Sequence, residues 1–494
     1  MSYLCVLGVL CGEFFLAGWI PASAAVLTPK PAPTPRINGP KVYGCRPGRP
    51  FLYRIPCTGR RPMRFTAANL PPSLRLDPDT GIIAGRAPEE RGDYLVTLQA
   101  KNARGADRRP FRIVVGDTLA LTPPMGWNHW YTHYHRITDR IMRQAADVMI
   151  TSGMADFGYQ YVNVDDCWMV KPEAAEPRGP DGALLPNEHF PDMKALTAYI
   201  HGKGLKAGLY TSPGPLTCAK YAGSWQHEEI DARRFAEWGF DFLKYDWCSY
   251  GKIAADQSLE ERRKPYAKMG AILQRLDRDM VFNLCQYGLS DVWKWGGEVG
   301  GHSWRTTGDV GLEKAARLPG FYRVGLRNAQ LHEFAGPGRW NDPDYLIIGY
   351  AGDARNRNAP PQPTPLTADE QYSYMSMWSL MAAPLLFSGE MGKLDDFTLN
   401  VLCNAEVIDV NQDVLGKQAR IVRQSEEELL LAKPLEDGSL AVGLFNLGEA
   451  ARPLRITAPE LGWQGRFRVR DLWRQKDVGV YAREYTATVP RHGV

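Results

Sequence analysis

From about residue 118 to residue 416 the chain repeats one pattern. A short apolar run ends in a polar or acidic residue, and several of these runs are followed by a stretch with helical spacing. Strand and helix alternating in this way is the mark of an α/β domain built on a parallel sheet. The run Phe240-Asp-Phe-Leu-Lys-Tyr-Asp-Trp-Cys248 is the clearest case. Phe240, Phe242 and Leu243 suit a buried strand. Lys244 and Asp246, two residues apart, share one face at its C-terminal end. In a (β/α)₈ barrel that end of the strand is the rim of the active site. A lysine beside an aspartate is expected to lower its pKa and keep it ionised, which suits a nucleophile. A buried salt bridge that only orients a loop fits the same residues, so the stretch decides nothing alone.

Strands are predicted at 124–130, 159–165, 205–210, 240–246, 281–286, 303–306, 339–344 and 384–388, the eight that a barrel needs. Helices are predicted at 138–151, opened by a Thr138 cap, and at 192–202, 231–238 and 367–381. Residues 118–416 are therefore read as the catalytic barrel.

The flanks differ. Residues 1–24 read as a secretory signal, with an apolar stretch from Tyr3 to Ile20 and Ala22-Ser23-Ala24 at an A-x-A cleavage position. Glu13 and the absence of Lys or Arg at the start depart from that pattern. A secreted or periplasmic protein is expected. Residues 25–40, rich in Pro, Ala and Thr, read as a semi-extended linker. Residues 41–117 show short alternating runs between turn signals, the pattern of a β-sandwich. Within them Leu70-Pro-Pro-Ser-Leu-Arg-Leu-Asp-Pro-Asp-Thr-Gly-Ile-Ile-Ala-Gly85 resembles the immunoglobulin-like modules of bacterial exported enzymes. Such a module reads as a structural spacer. Residues 417–494 return to strand runs, at 440–446 and 467–473. They are expected to form a C-terminal antiparallel β-sandwich whose final strand is truncated. After the leader no segment holds ~20 uninterrupted apolar residues, so no membrane span is expected in the mature chain. The fold class is thus multidomain: a (β/α)₈ TIM barrel between two β-sandwiches.

Composition narrows the partners. The 59 basic and 55 acidic residues leave a net charge of +4, which makes no case for nucleic acid or an anionic membrane. Nine cysteines are too few for a disulfide framework. Cys45 with Cys57, and Cys218 with Cys248, could pair in an oxidising compartment.

Carboxylates recur where strands should end: Asp165 and Asp166, Asp246, Asp309, and Asp342 with Asp344. Trp130, Trp168, Tyr210, Trp247, Tyr287 and Trp304 fall in the same places. Carboxylates with aromatics, and no His/Cys metal spacing, point to a carbohydrate pocket. Glycoside hydrolysis needs two carboxyl groups with different proton affinities.

With these residues in place, 122–417 resembles glycoside hydrolase family 27, the α-galactosidases and their relatives. The motifs are Pro123-Pro-Met-Gly-Trp-Asn-His-Trp130, Asn163-Val-Asp-Asp-Cys-Trp168, Gly204-Leu-Lys-Ala-Gly-Leu-Tyr210, Lys244-Tyr-Asp-Trp-Cys248, Trp304-Arg-Thr-Thr-Gly-Asp309, Gly338-Arg-Trp-Asn-Asp-Pro-Asp344 and Asn411-Gln-Asp-Val-Leu-Gly-Lys417. The resemblance implies a retaining, cofactor-free enzyme. Asp246 would be the nucleophile and Asp309 the acid/base, about 5–6 Å apart, with the Asp246 charge raising the pKa of Asp309. Asp165 and Asp166 would accept from the galactose 4- and 6-hydroxyls. Trp130 would form an apolar wall. Lys244 and Arg305 would reach sugar hydroxyls, and Asp344 would close the pocket beside the acid/base. Tyr210, Cys218, Cys248 and Tyr287 would line it, the two cysteines matching a family bridge. The resemblance gives Cys167 no bridging partner, and Trp168 and Trp304 are read as supports for the strand ends.

The expected substrate is a galactose-containing oligosaccharide or polysaccharide. Bulky Gln286 and Tyr287 disfavour an N-acetylgalactosaminidase, and Asp166 in place of Glu disfavours a β-L-arabinopyranosidase. A carbohydrate-binding protein without catalysis is the reading from another class.

Overall fold

The computed structural model describes residues 2–7, 26–311, 317–352 and 358–494. Its centre is one parallel sheet: β1 (Met125–Asn128), β2 (Tyr161–Asn163), β3 (Lys206–Thr211), β4 (Phe242–Asp246), β5 (Val281–Cys285), β6 (Ser303–Arg305), β7 (Trp340–Asp342) and β8 (Leu385–Phe387). Each strand lies beside its chain neighbour from β1 to β7, and β8 pairs with the other edge of β1. Leu346, just past β7, makes a parallel bridge to Phe387 in β8. That contact curls the sheet into the expected (β/α)₈ barrel. All residues of β3, β4 and β5 are buried, as a parallel sheet covered by helices requires.

The helices begin where short polar side chains satisfy their first free N–H groups. Thr138 caps α1 (Asp139–Thr151) and Asp192 caps α2 (Met193–His201). The next, α3 (Glu228–Trp238), opens earlier than its apolar spacing suggests, with Glu228, Glu229 and Asp231 in a first turn that favours negative charge. Ser258 caps α4 (Leu259–Arg275), and Thr367 with Glu370 forms a capping box on a buried helix at Ala368–Leu380.

The N-terminal module has two antiparallel-rich sheets. One holds Val42–Cys45, Gly105–Val115, Gly92–Asn102 and Arg64–Ala68; the other holds Pro50–Arg54, Ile82–Arg86 and Leu74–Leu76. Phe51, Tyr53, Phe65, Leu98, Phe111 and Ile113 form their shared core. The module sits against the N-terminal ends of the barrel strands. Arg46 pairs with Asp279 and donates to the carbonyls of Leu273, Gln274 and Arg278. Tyr43 accepts from Lys206 at the start of β3. The pairing of Cys45 with Cys57 does not form: both are separate buried thiols, lying against the carbonyls of Val114 and Thr58. The Pro-rich segment is tied down on the barrel. Thr28 is buried, its backbone N–H donates to Asn400 Oδ1, and its hydroxyl accepts from Asn404 Nδ2.

The C-terminal sandwich has a six-stranded sheet and a paired ribbon, Arg452–Thr457 with Glu484–Val489, around a core that includes Leu430, Val442, Ile456, Phe467 and Val469. Ser2–Leu7 is a strand of that larger sheet, parallel to both Leu440–Asn446 and Phe467–Asp471. The remainder of the predicted leader lies outside the described residues. Among the described residues no helix is long and apolar enough to cross a membrane.

Candidate active site

The carboxylates singled out in the sequence lie at or beyond the C-terminal ends of barrel strands, the end opposite the N-terminal module. Asp165 and Asp166 follow β2 in a turn that Cys167 completes at φ +79°. Tyr210 lies near the end of β3, Asp246 ends β4, Tyr287 follows β5, Arg305 ends β6 and Asp344 follows β7.

Asp246 is buried and bracketed by two phenols. Tyr210 Oη donates to its Oδ2 at 3.1 Å and Tyr287 Oη to its Oδ1 at 2.7 Å. Cys218 and Cys248 form a disulfide that packs on the same group, with Cys218 Sγ 3.9 Å from Asp246 Oδ2. Tyr287 is held at φ +64°, a strained conformation for a bulky residue and one often kept at functional sites.

The expected Lys244–Asp246 partnership is not what forms. Lys244 Nζ donates instead to Asp165 Oδ2 at 2.8 Å. The expected low pKa of Asp246 is likewise reversed. Burial pushes its carboxyl up to about 6, and the Lys244 charge and the Tyr287 hydroxyl only partly offset it. The low pKa belongs to Asp165. Burial there is outweighed by Lys244, and Asn128 Nδ2 and Tyr345 Oη also donate to its Oδ2, at 2.8 and 3.0 Å. Asp166 accepts from the N–H groups of Cys167 and Ala219, but burial still lifts it to about 7.

The opposite side of the pocket is organised by Arg305. Its Nη2 lies 3.2 Å from Asp309 Oδ1 and 3.1 Å from Asp344 Oδ2. Asp344 Oδ2 also accepts from Tyr131 Oη at 2.6 Å and from Val310 N–H at 2.9 Å. Asp344 itself sits at φ +92°. The Asp309 side chain is 56% exposed. Asp344 Oδ1, Arg305 Nε and the Asn163 amide are buried without a hydrogen-bond partner among the described residues. Orphan polar atoms of this kind are costly in a closed protein and fit a pocket that completes its bonds with a hydroxylated ligand.

Trp130 is buried and its ring lies 4.1 Å from that of Tyr134. Trp168 Nε1 donates to the Tyr210 carbonyl and Trp304 Nε1 to Asn341 Oδ1, each fixing a strand end. Gln286 is buried with its amide tied to the Leu289 carbonyl. Tyr131 and Tyr345 were missed from the sequence. Each follows a motif residue directly, Trp130 and Asp344, and that adjacency was the available signal. The one grouping of possible metal ligands among the described residues is Cys218, Asp246 and Cys248, and its two sulfurs are joined to each other.

A parallel barrel whose strand ends carry one buried, phenol-bracketed carboxylate and one exposed, arginine-held carboxylate defines the class of glycoside hydrolases. Within that class the chain belongs to the melibiase family. The family model described as "Alpha galactosidase A" matches residues 122–413, and the alpha galactosidase C-terminal beta sandwich domain matches 429–494. The alpha-galactosidase of Cyamopsis tetragonoloba is 37% identical over 403 residues, 80% of this chain and 91% of the relative. A Bacteroides fragilis NCTC 9343 structure, provisionally described as an alpha-galactosidase/melibiase, superposes with a TM-score of 0.87 at 37% identity. The match covers 95% of this chain and 98% of that one. Alpha-galactosidase I from Mortierella vinacea gives a TM-score of 0.69 at 29% identity over 77% of this chain and 97% of its own.

Proposed function

We propose that the protein is a retaining, exo-acting α-galactosidase that removes terminal α-linked D-galactose from oligosaccharides or polysaccharides. The observation that carries this reading is Asp246 at the end of β4, held by Tyr210 and Tyr287 and close enough to Asp309 for the two charges to act on each other. Asp246 attacks C1 of the bound galactose. The C1–O bond breaks, and Asp309 gives its proton to the departing oxygen. Asp309 then takes a proton from water, which attacks C1 and releases galactose and the Asp246 carboxylate. Asp165, Asp166 and Lys244 hold the hydroxyls at one edge of the sugar, Arg305 and Asp344 those nearer the acid/base, and Trp130 its apolar face. Tyr210, Tyr287 and the Cys218–Cys248 bridge form the wall behind the nucleophile.

Galactose is favoured over its analogues by two details. Gln286 is pinned at Leu289 and cannot swing aside for an acetamide. Asp166, tied to two backbone N–H groups, leaves the space that a longer acid would fill. Export to the periplasm or beyond, and an immunoglobulin-like class for the N-terminal module, complete the reading. Cleavage after Ala24 would withdraw Ser2–Leu7 from the C-terminal sheet, and N-terminal sequencing of the exported protein decides whether that happens.

The test is hydrolysis of p-nitrophenyl α-D-galactopyranoside beside the β-L-arabinopyranoside and α-N-acetylgalactosaminide analogues, with NMR of the first-formed sugar. Rapid release from the first alone, with α-galactose appearing first, is expected. Asp246→Asn and Asp309→Asn should each lower kcat by about 10³-fold or more while galactose still binds. Faster release from either analogue, or an inverted product, would sink the assignment.

A further inference from the structure

The near balance of charge over the whole chain conceals a strong asymmetry. Residues 41–117 hold fifteen Arg and Lys against seven Asp and Glu, a net +8 within a chain whose total is +4. Five of these cations lie at one place. In the antiparallel ladder of the larger N-terminal sheet, Arg64 stands directly opposite Lys101, and Gln99, two residues along the same face, stands opposite Arg108. Lys101 and Arg108 are exposed, as are Arg104 at the hairpin tip and Arg60 in the preceding loop. Of these five cations only Arg64 has an ion-pair partner among the described residues, Asp79. The one acid inside the cluster, Asp107, is occupied by the backbone N–H groups of Ile37 and Arg108.

Like charges directly opposite on neighbouring strands destabilise a sheet. Strands lie about 4.8 Å apart, so Arg64 and Lys101 stand at close range; Asp79 offsets the Arg64 charge alone, and Lys101 and Arg108 have no acid partner among the described residues. An anionic partner laid across the face relieves that repulsion. We infer that this face is a docking surface for a carboxylated polysaccharide, a polyuronate, which moors the enzyme while its pocket acts on other sugar. The outward side chains of the face are Arg64, Thr66, Asp93, Leu95, Thr97, Gln99 and Lys101, followed by Arg108, Pro110 and Arg112 on the next strand, with Arg112 paired to Asp93 away from the Lys101–Arg108 end. They include no aromatic ring. A neutral sugar has no apolar platform there and a nucleic-acid base no stacking surface. What remains is charge with hydroxyl and amide groups between, which matches a chain of carboxylates and hydroxyls. Geometry adds a consequence. The module is fixed to the N-terminal ends of the barrel strands by Arg46 and Lys206, so a moored molecule carries its pocket at the end of the barrel opposite the moored module.

The inference stands apart from the catalytic reading, because its readout is binding. Full-length protein is run on immobilised polygalacturonate in 0.15 M NaCl, with neutral galactomannan and duplex DNA as parallel matrices. Retention on polygalacturonate alone is expected, weakening as salt rises. Lys101→Glu with Arg108→Glu should weaken it by at least about tenfold, and Lys101→Gln with Arg108→Gln should do so to a lesser degree. Both double variants should keep wild-type hydrolysis of p-nitrophenyl α-D-galactopyranoside, which shows that they fold. No retention by wild type, equal retention by the variants, or equal or tighter binding to DNA overturns the proposal.

Discussion

At the scale of single residues the central lesson is which force sets the charge of Asp246, the proposed nucleophile. The sequence places Lys244 beside Asp246, and proximity along the chain argues for a depressed pKa. Register decides otherwise. Lys244 reaches across the sheet to Asp165, and Asp246 is left with two neutral phenols in a dry wall. Burial then dominates and sets its carboxyl at about 6. A nucleophile must be ionised to attack, so activity is present above this value and is lost as pH falls through it. The acidic limb of kcat/KM against pH should therefore bend near 6. Tyr287 donates to the carboxylate and so favours its charged form. Tyr287→Phe removes that donor and should move the limb to higher pH by up to about one unit, the worth of one hydrogen bond to a charged group. A limb that stays in place while kcat falls would show that Tyr287 acts on the sugar and not on the nucleophile.

At the scale of elements, the barrel strands were legible because parallel strands buried on both faces are written as plain apolar runs with their chemistry at one end. Thr138 and Asp192 announced their helices for an equally local reason, the capping of the first turn. What local pattern could not carry was the partner of an exposed-looking residue. Arg46 lies in the first module, far along the chain from the groups it meets. In the fold it closes the C-terminal end of α4, donating to the carbonyls of Leu273 and Gln274 and pairing with Asp279. A guanidinium there satisfies free carbonyls and opposes the negative end of the helix. Arg46→Ala removes the guanidinium from those carbonyls and leaves Asp279 with no ion-pair partner among the described residues, only the backbone N–H of residue 46, in a largely buried joint. It should cost about 2–4 kcal/mol of stability, read as a lower midpoint in denaturant. The pocket lies at the other end of the barrel, so kcat/KM should be unchanged below the unfolding range.

At the scale of the whole molecule, three bodies are locked to one another by buried polar contacts that composition does not reveal. The Pro-rich segment has no core of its own, yet Asn400 and Asn404 on the barrel supply its partners. The joint between barrel and C-terminal sandwich holds a stranger group, Lys433. It has no exposed surface, donates to the Val410 carbonyl, and has only the distant pull of Asp413 in its favour. Burial pulls its pKa down from 10.5 to about 7. Below pH 7 the folded protein must carry a buried charge, and the full penalty applies. Between about 7 and 10.5 the unfolded chain binds a proton that the folded chain does not, so stability rises with pH across that window. At neutral pH the penalty approaches about 5 kcal/mol, from some 3.5 units at 1.36 kcal/mol each. Lys433→Met fills the same space without charge and gives up only the bond to Val410. It should raise the thermal midpoint at pH 7, by about 2–4 kcal/mol in stability once the lost hydrogen bond is set against the gain. The gain should shrink steadily toward pH 10. An equal gain at both pH values would mean that Lys433 releases its proton over the same range in the folded and unfolded chains, and that burial does not lower its pKa.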